Sequence, residues 1–176
     1  MTERILIAGA GGQGIMLLGK IIAEAAMREE KFVTWLPSYG AEVRGGTAHC
    51  MVVISDKEIG SPYVNKADTL IAMNQPSLER FAERLKNNGL LIINSSLAGG
   101  VKKGRTQTFS FPFTDIAGGL GNIKIANMVA LGVFIARKKI ISAQTVMKTI
   151  NEIAPSDKKT LVEINLQALK EGLNLK

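Results

Sequence analysis

The sequence is short of the side chains that carry most covalent chemistry, with one cysteine and one histidine among 176 residues. A single cysteine excludes an intrachain disulfide, an iron–sulfur cluster ligated by this chain's cysteines alone, and any multi-cysteine zinc site. His49 and Cys50 are neighbours in a strand-like run, so their side chains face opposite ways and share no metal; both read as packing residues. No Gly-x-Ser-x-Gly elbow is present, and no phosphate-loop lysine follows the glycine-rich segment. Aromatic residues make up only 5%, too few for the stacking platforms that bind single-stranded nucleic acid. No apolar run reaches the ~20 residues of a membrane-spanning helix. The longest, residues 123–136, contains Lys124 and Asn127, and Met1–Arg4 leads too directly into a strand to be a signal peptide. The expectation is a cytoplasmic protein forming one domain over residues 1–176, with neither membrane nor nucleic acid as partner.

Positive charge is in excess, with 22 Lys and Arg against 15 Asp and Glu, a net charge of +7. The basic clusters 102–105, 137–139 and 158–159 are short and separate, so they suit solvated surface better than a nucleic-acid face. An excess of this sign favours an acidic ligand or protein partner.

The most organised stretch is residues 5–14, where the apolar Ile5-Leu6-Ile7-Ala8 runs into a G-x-G-x-x-G pattern at Gly9, Gly11 and Gly14, with Gly12 and Gln13 inside it. Ile15, Leu18, Ile22 and Ala25 follow at helical spacing, so the glycines join a strand to a helix. Unpaired N–H groups and the positive end of the dipole at such a helix start favour phosphate, while a tight turn without ligand is the alternative. Phe32–Leu36 supplies the next strand of a βαβ unit. A dinucleotide site calls for an acidic residue at that strand's end, and the chain has Leu36-Pro37-Ser38 instead. Ordinary NAD binding is therefore disfavoured.

Next comes Ser38-Tyr39-Gly40-Ala41-Glu42-Val43-Arg44-Gly45-Gly46-Thr47, unusual for a mere connection; Glu42 and Arg44, if extended, share a side where they pair or meet a charged partner. Residues 47–55 predict a long buried strand, and 58–62 an irregular stretch or short edge strand. Residues 69–73 predict a further strand, which places Asn74 and Gln75 at the ligand-binding end of the sheet. A helix from Ser77 to about Asn87, stopped at Asn88-Gly89, precedes a strand at 90–94. A half-exposed strand at 105–111 leads to a short helix capped by Thr114-Asp115, and the glycines at 118–121 predict a flexible break. An almost wholly apolar helix over 123–136 then needs a hydrogen-bond partner for Asn127. Two amphipathic helices, 142–153 and 156–171, finish the chain, the last closed by Gly172. The fold class is α/β: a Rossmann-like open sheet, mostly parallel, flanked by helices, with C-terminal helices.

The blocks 9–15 and 38–47, at this spacing, closely resemble the gamma subunit, or gamma domain, of 2-oxoacid:ferredoxin oxidoreductases, and the resemblance runs through Asn127–Gly132 to the last helices. It implies a subunit of an enzyme that converts a 2-oxoacid and coenzyme A to acyl-CoA, CO2 and reduced ferredoxin. Thiamine diphosphate and iron–sulfur clusters then sit on alpha, beta and delta or ferredoxin-type partners, and the isolated chain is inactive. By the resemblance, Gly9, Gly11, Gly12, Gln13 and Gly14 form the glycine loop, with coenzyme A as its candidate ligand. Tyr39, Glu42, Arg44, Gly45 and Gly46 form the second signature, near the subunit junction or the coenzyme A path. Pyruvate-specific members often carry arginine where this chain has Ala10, which favours a 2-oxoglutarate or general 2-oxoacid enzyme. The smaller indolepyruvate subunit, a stand-alone nucleotide-binding protein and a purely structural interaction subunit are the other readings.

Overall fold

The computed structural model describes residues 1–38, 47–99, 106–154 and 159–176. Its strands are β1 (Thr2–Ala10), β2 (Phe32–Ser38), β3 (Thr47–Ser55), β4 (Ala67–Ala72), β5 (Leu85–Asn94) and β6 (Gln107–Phe111). Its α-helices are α1 (Ile15–Arg28), α2 (Gln75–Phe81), α3 (Phe113–Gly119), α4 (Ala126–Lys138), α5 (Ala143–Ile153) and α6 (Lys159–Asn174). The strands form one sheet in the order β2-β3-β1-β4-β5-β6. Pairings β1–β4, β4–β5 and β5–β6 are parallel, whereas β1–β3 and β2–β3 are antiparallel. The sheet is thus mostly parallel, with one departure from the expected βαβ unit. β2 runs parallel to β1, but β3 lies between them and occupies the place of a dinucleotide fold's second strand.

Alternation along the central strands divides the interior in two. Ile5, Ile7, Cys50, Val52, Ile71 and Ile92 face α1, α4 and the C-terminal helices. Leu6, Ala8, Met51, Val53, Leu70 and Leu91 face α2 and the stretch around Val64. The period of two in these strands produces the division directly. α1 buries Ile15, Leu18, Ile22 and Ala25 as their spacing predicts; each fully buried Leu or Ile contributes about 1.5–3 kcal/mol. α4 is buried continuously from Ala126 to Ile135.

Several boundaries differ from expectation, each for a physical reason. The helix expected to reach Asn87 ends at Phe81, followed by a 3₁₀ turn at Ala82–Arg84. Leu85 is buried and pairs with Ala67, so β5 begins there, and the register then jumps to Thr69 opposite Leu90. Asn88, at φ 63°, belongs to that bulge, and Asn88-Gly89 is no helix stop. Residues 58–62 are irregular, the first of the two forms expected for them. Pro112, not Thr114 or Asp115, is the N-cap of α3. Asn94 Oδ1 and Ser96 Oγ, from the end of β5, accept the Thr114 and Asp115 N–H groups instead. The glycines before α4 are tied by hydrogen bonds from Leu120, Gly121 and Asn122 N–H back to α3 carbonyls. α4 begins after a 3₁₀ turn at Ile123–Ile125, and Asn122 caps that turn through Lys124 N–H. Gly172 lies inside α6, where it meets Gly132 of α4: a methyl on either would run into the other helix's backbone.

Candidate functional site

At the carboxyl end of β1 the chain turns into α1, on one face of the sheet; at the end of neighbouring β4 it turns into α2, on the other. Connections leaving adjacent parallel strands towards opposite faces open a crevice, the usual ligand position in open α/β sheets. The glycine loop forms one wall. Gly12 and Gly14 have φ of 85° and 70°, which glycine adopts without strain. Gly9 lies so close to Gln13, Ile15 and Met73 that a Cβ would reach within 2.9 Å of each. Gly14 is the N-cap of α1 and supplies no side-chain cap, the first turn carries no acidic residue, and Gly11 and Gly12 are exposed. These are the features that let a helix start accept an anion.

Gln13 gives this loop its particular form. Its Oε1 accepts the Ala10 N–H at 2.6 Å, and its Nε2 donates to the Met73 carbonyl at 3.1 Å, across the crevice. Buried Asn94 donates to the same carbonyl at 3.2 Å and to Thr114 Oγ1 at 2.8 Å. Asn127, 2% exposed at the start of α4, donates from Nδ2 to Gly14 O at 3.2 Å. The glycine loop is thereby fastened to β4, β5, α3 and α4. Asn74, a positional candidate in the sequence, caps α2 by accepting Ser77 N–H. Gln75 accepts the Gly99 N–H and donates to Glu79.

The second signature, with Tyr39, Glu42, Arg44, Gly45 and Gly46, lies outside the described residues. The residues flanking it have defined positions: Ser38 pairs with His49, and Thr47 pairs with Ala10 of the glycine loop. β3 also bears on the dinucleotide question, since β2, whose end lacks the acid, is not the strand beside β1.

His49 and Cys50 do project to opposite faces. Cys50 lies among the α1-side core residues, and burial pushes its thiol up to about 12, so it stays protonated. That environment does not fit ligation of an iron–sulfur cluster, which requires thiolate. His49 stands on the other face, its ring 4.8 Å from that of Phe81. Together with Ser38, Tyr63, Arg80 and Arg84 it lines a second concavity of about 450 Å³. Burial, with the Arg80 and Arg84 charges, holds the His49 pKa below its ordinary value despite the nearby Thr47 carbonyl. This cleft was not evident from the sequence; the available signal was the four-residue spacing of Arg80 and Arg84 beside a solitary histidine.

The architecture is that of an open α/β subunit with a glycine turn at its sheet switch point. The chain belongs to the pyruvate ferredoxin/flavodoxin oxidoreductase family, whose model matches residues 4–175. It is 36% identical over 169 residues to the ketoisovalerate oxidoreductase subunit VorA of Methanothermobacter thermautotrophicus, covering 96% of this chain but 35% of that relative. It therefore spans only about a third of the ketoisovalerate subunits it matches. The 2-oxoglutarate synthase subunit KorC of Methanocaldococcus jannaschii is 34% identical over 176 residues, covering 98% of this chain and 92% of the relative. Among solved structures, the gamma subunit of a keto/oxoacid ferredoxin oxidoreductase from Geobacter sulfurreducens superposes with a TM-score of 0.84 at 33% identity, covering 97% of this chain and 95% of that one.

Proposed function

We propose that this chain is the gamma subunit of a multi-subunit oxidoreductase that decarboxylates a 2-oxoacid in the presence of coenzyme A, yielding acyl-CoA, CO2 and two electrons for ferredoxin. The observation that carries the reading is the match to KorC over 92% of that relative's length, because it pairs this chain with a separate subunit of similar size and not only with part of a larger one. In this reading residues 1–176 act as one cytoplasmic unit beside alpha, beta and delta or ferredoxin-type subunits. Those partners hold thiamine diphosphate and the iron–sulfur clusters. The protonated, buried Cys50 supports that division of labour.

Within the complex, the exposed Gly11-Gly12 edge and the uncapped start of α1 offer N–H groups to a phosphate, with coenzyme A as the ligand. The second signature around Glu42 and Arg44 serves the subunit junction or the coenzyme A path. The substrate is 2-oxoglutarate or a branched 2-oxoacid; relatives named for these reach 34% and 37% identity, against 31% for a pyruvate synthase subunit. Affinity purification through a tag on this chain, followed by ferredoxin-reduction assays with individual 2-oxoacids, tests the reading. Recovery of larger subunits with oxoacid- and coenzyme-A-dependent reduction is expected. A chain that purifies alone under the same conditions contradicts it.

A further inference from the structure

In the turn Ala10-Gly11-Gly12-Gln13, only Gln13 carries a side chain longer than a methyl group. It grips Ala10 by both backbone groups: its own N–H donates to the Ala10 carbonyl at 3.2 Å, and its Oε1 accepts the Ala10 N–H at 2.6 Å. The first bond closes the turn, and Gly12 at φ 85° supplies the positive φ that a type II turn needs at its third residue. The second carries the amide across Gly9, where a Cβ would come within 2.6 Å of Oε1. The space that Gly9 leaves is thus filled by the Gln13 amide.

The other end of that amide leaves the loop. Nε2 donates to the Met73 carbonyl at 3.1 Å, just beyond β4, and the same carbonyl accepts Asn94 Nδ2 at 3.2 Å. Met73 is itself anchored, for it is buried and its N–H donates to Ala8 O at 2.8 Å. Gln13 therefore joins the end of β1 to a fixed point beside β4, with a backbone partner at each end of its amide. Gly11 and Gly12, at the tip of the turn, are exposed and have no side chains of their own to hold them. Their orientation over the crevice is set through Gln13.

We infer that, on the reading of this loop as the coenzyme A site, Gln13 is a positioning residue and not a ligand contact. Its amide fixes the direction in which the Gly11-Gly12 edge faces, and with it the fit of the acyl acceptor to that edge. A glutamine that bound the ligand would turn its amide outwards. Here the bond from the Ala10 N–H and the bond to the Met73 carbonyl hold it inwards. Loss of both leaves the Ala10 N–H without its acceptor and frees the tip. The parallel ladder from Ile5 to Ala8 against β4 does not involve Gln13 and stays intact.

Gln13→Met tests the role, because methionine matches glutamine in length and makes neither bond. In the full chain, amide hydrogen exchange at Ala10 should quicken by about tenfold or more, with Leu6 and Ile7 unchanged. In the reconstituted complex the apparent KM for coenzyme A should rise about fivefold or more while kcat stays within about twofold. Gly12→Asp is the comparison: it puts a carboxylate at the exposed tip, where a Cβ meets nothing within 4 Å, and leaves the Gln13 bonds in place. It should raise the same KM with Ala10 exchange still slow. Unchanged Ala10 exchange in Gln13→Met, or exchange quickened throughout β1, would overturn the inference. So would an unchanged KM in Gln13→Met beside a raised KM in Gly12→Asp, which would leave coenzyme A at the loop. A fall in kcat matching the rise in KM would overturn it as well, since Gln13 would then act at the chemical step. An unchanged KM in Gly12→Asp would instead remove coenzyme A from the loop, and the positioning role with it.

Discussion

Gly12 and Gly14 share a left-handed backbone but differ in surroundings, which separates two contributions to the glycine turn. A Cβ at Gly12 meets nothing within 4 Å, whereas one at Gly14 runs into the Asn127 amide. Gly12→Ala should cost about 1 kcal/mol from backbone strain alone, and Gly14→Ala about 2–4 kcal/mol, since it also displaces Asn127. Urea unfolding of the two variants checks this; equal losses would mean that the Asn127 contact contributes nothing. His49 gives a pH signature. Its folded pKa lies below the ordinary 6.5 because of burial and the Arg80 and Arg84 charges, so between the two values the unfolded chain binds a proton that the folded chain refuses. Its contribution to stability is complete above 6.5 and is lost as pH falls through the folded value. Stability measured from pH 7 to 5 should fall for the native chain and fall less for His49→Gln. The glycines of the loop were legible in the sequence because few residues satisfy that backbone. The Asn127 contact was not, since it joins residues 113 positions apart.

Elements with a strong period and a capping residue were the readable ones. α1 shows its buried stripe, and Ser142 caps α5 by accepting Thr145 N–H, as its position before an amphipathic run suggests. Boundaries that depend on distant strands were not readable: β5 starts at Leu85 because Ala67 pairs with it, and nothing local marks the bulge at Asn88. The position of β3 between β1 and β2 is likewise a matter of pairing and not of composition. Gly172 shows the same limit, for a glycine near a helix end suggests a stop, whereas here it permits close approach of α4 and α6. Gly132→Ala should therefore destabilise by about 3 kcal/mol or more, while Gly119→Ala, with open space at its Cβ, should change stability by less than about 0.5 kcal/mol. Thermal unfolding of both variants measures the difference. A neutral Gly132→Ala would show that the two helices are free to separate.

On the scale of the whole molecule, the described residues form a sheet tied to its helices at both ends of its strands. Glu3, only 7% exposed, accepts from Thr69 Oγ1 at 2.6 Å and pairs with Lys138 at 2.9 Å, tying the start of β1 to β4 and the end of α4. The opposite edge is tied by Gln13, Asn94 and Asn127. Such a body suits the proposed role of a subunit that positions groups for chemistry performed on its partners. The most direct test is an omission experiment on the reconstituted complex. Partner subunits are assembled with and without this chain, and 2-oxoacid-dependent ferredoxin reduction is followed as coenzyme A is varied. Omission should abolish acyl-CoA formation, and adding the full chain should restore it. Full acyl-CoA formation at unchanged coenzyme A dependence without the chain would contradict it.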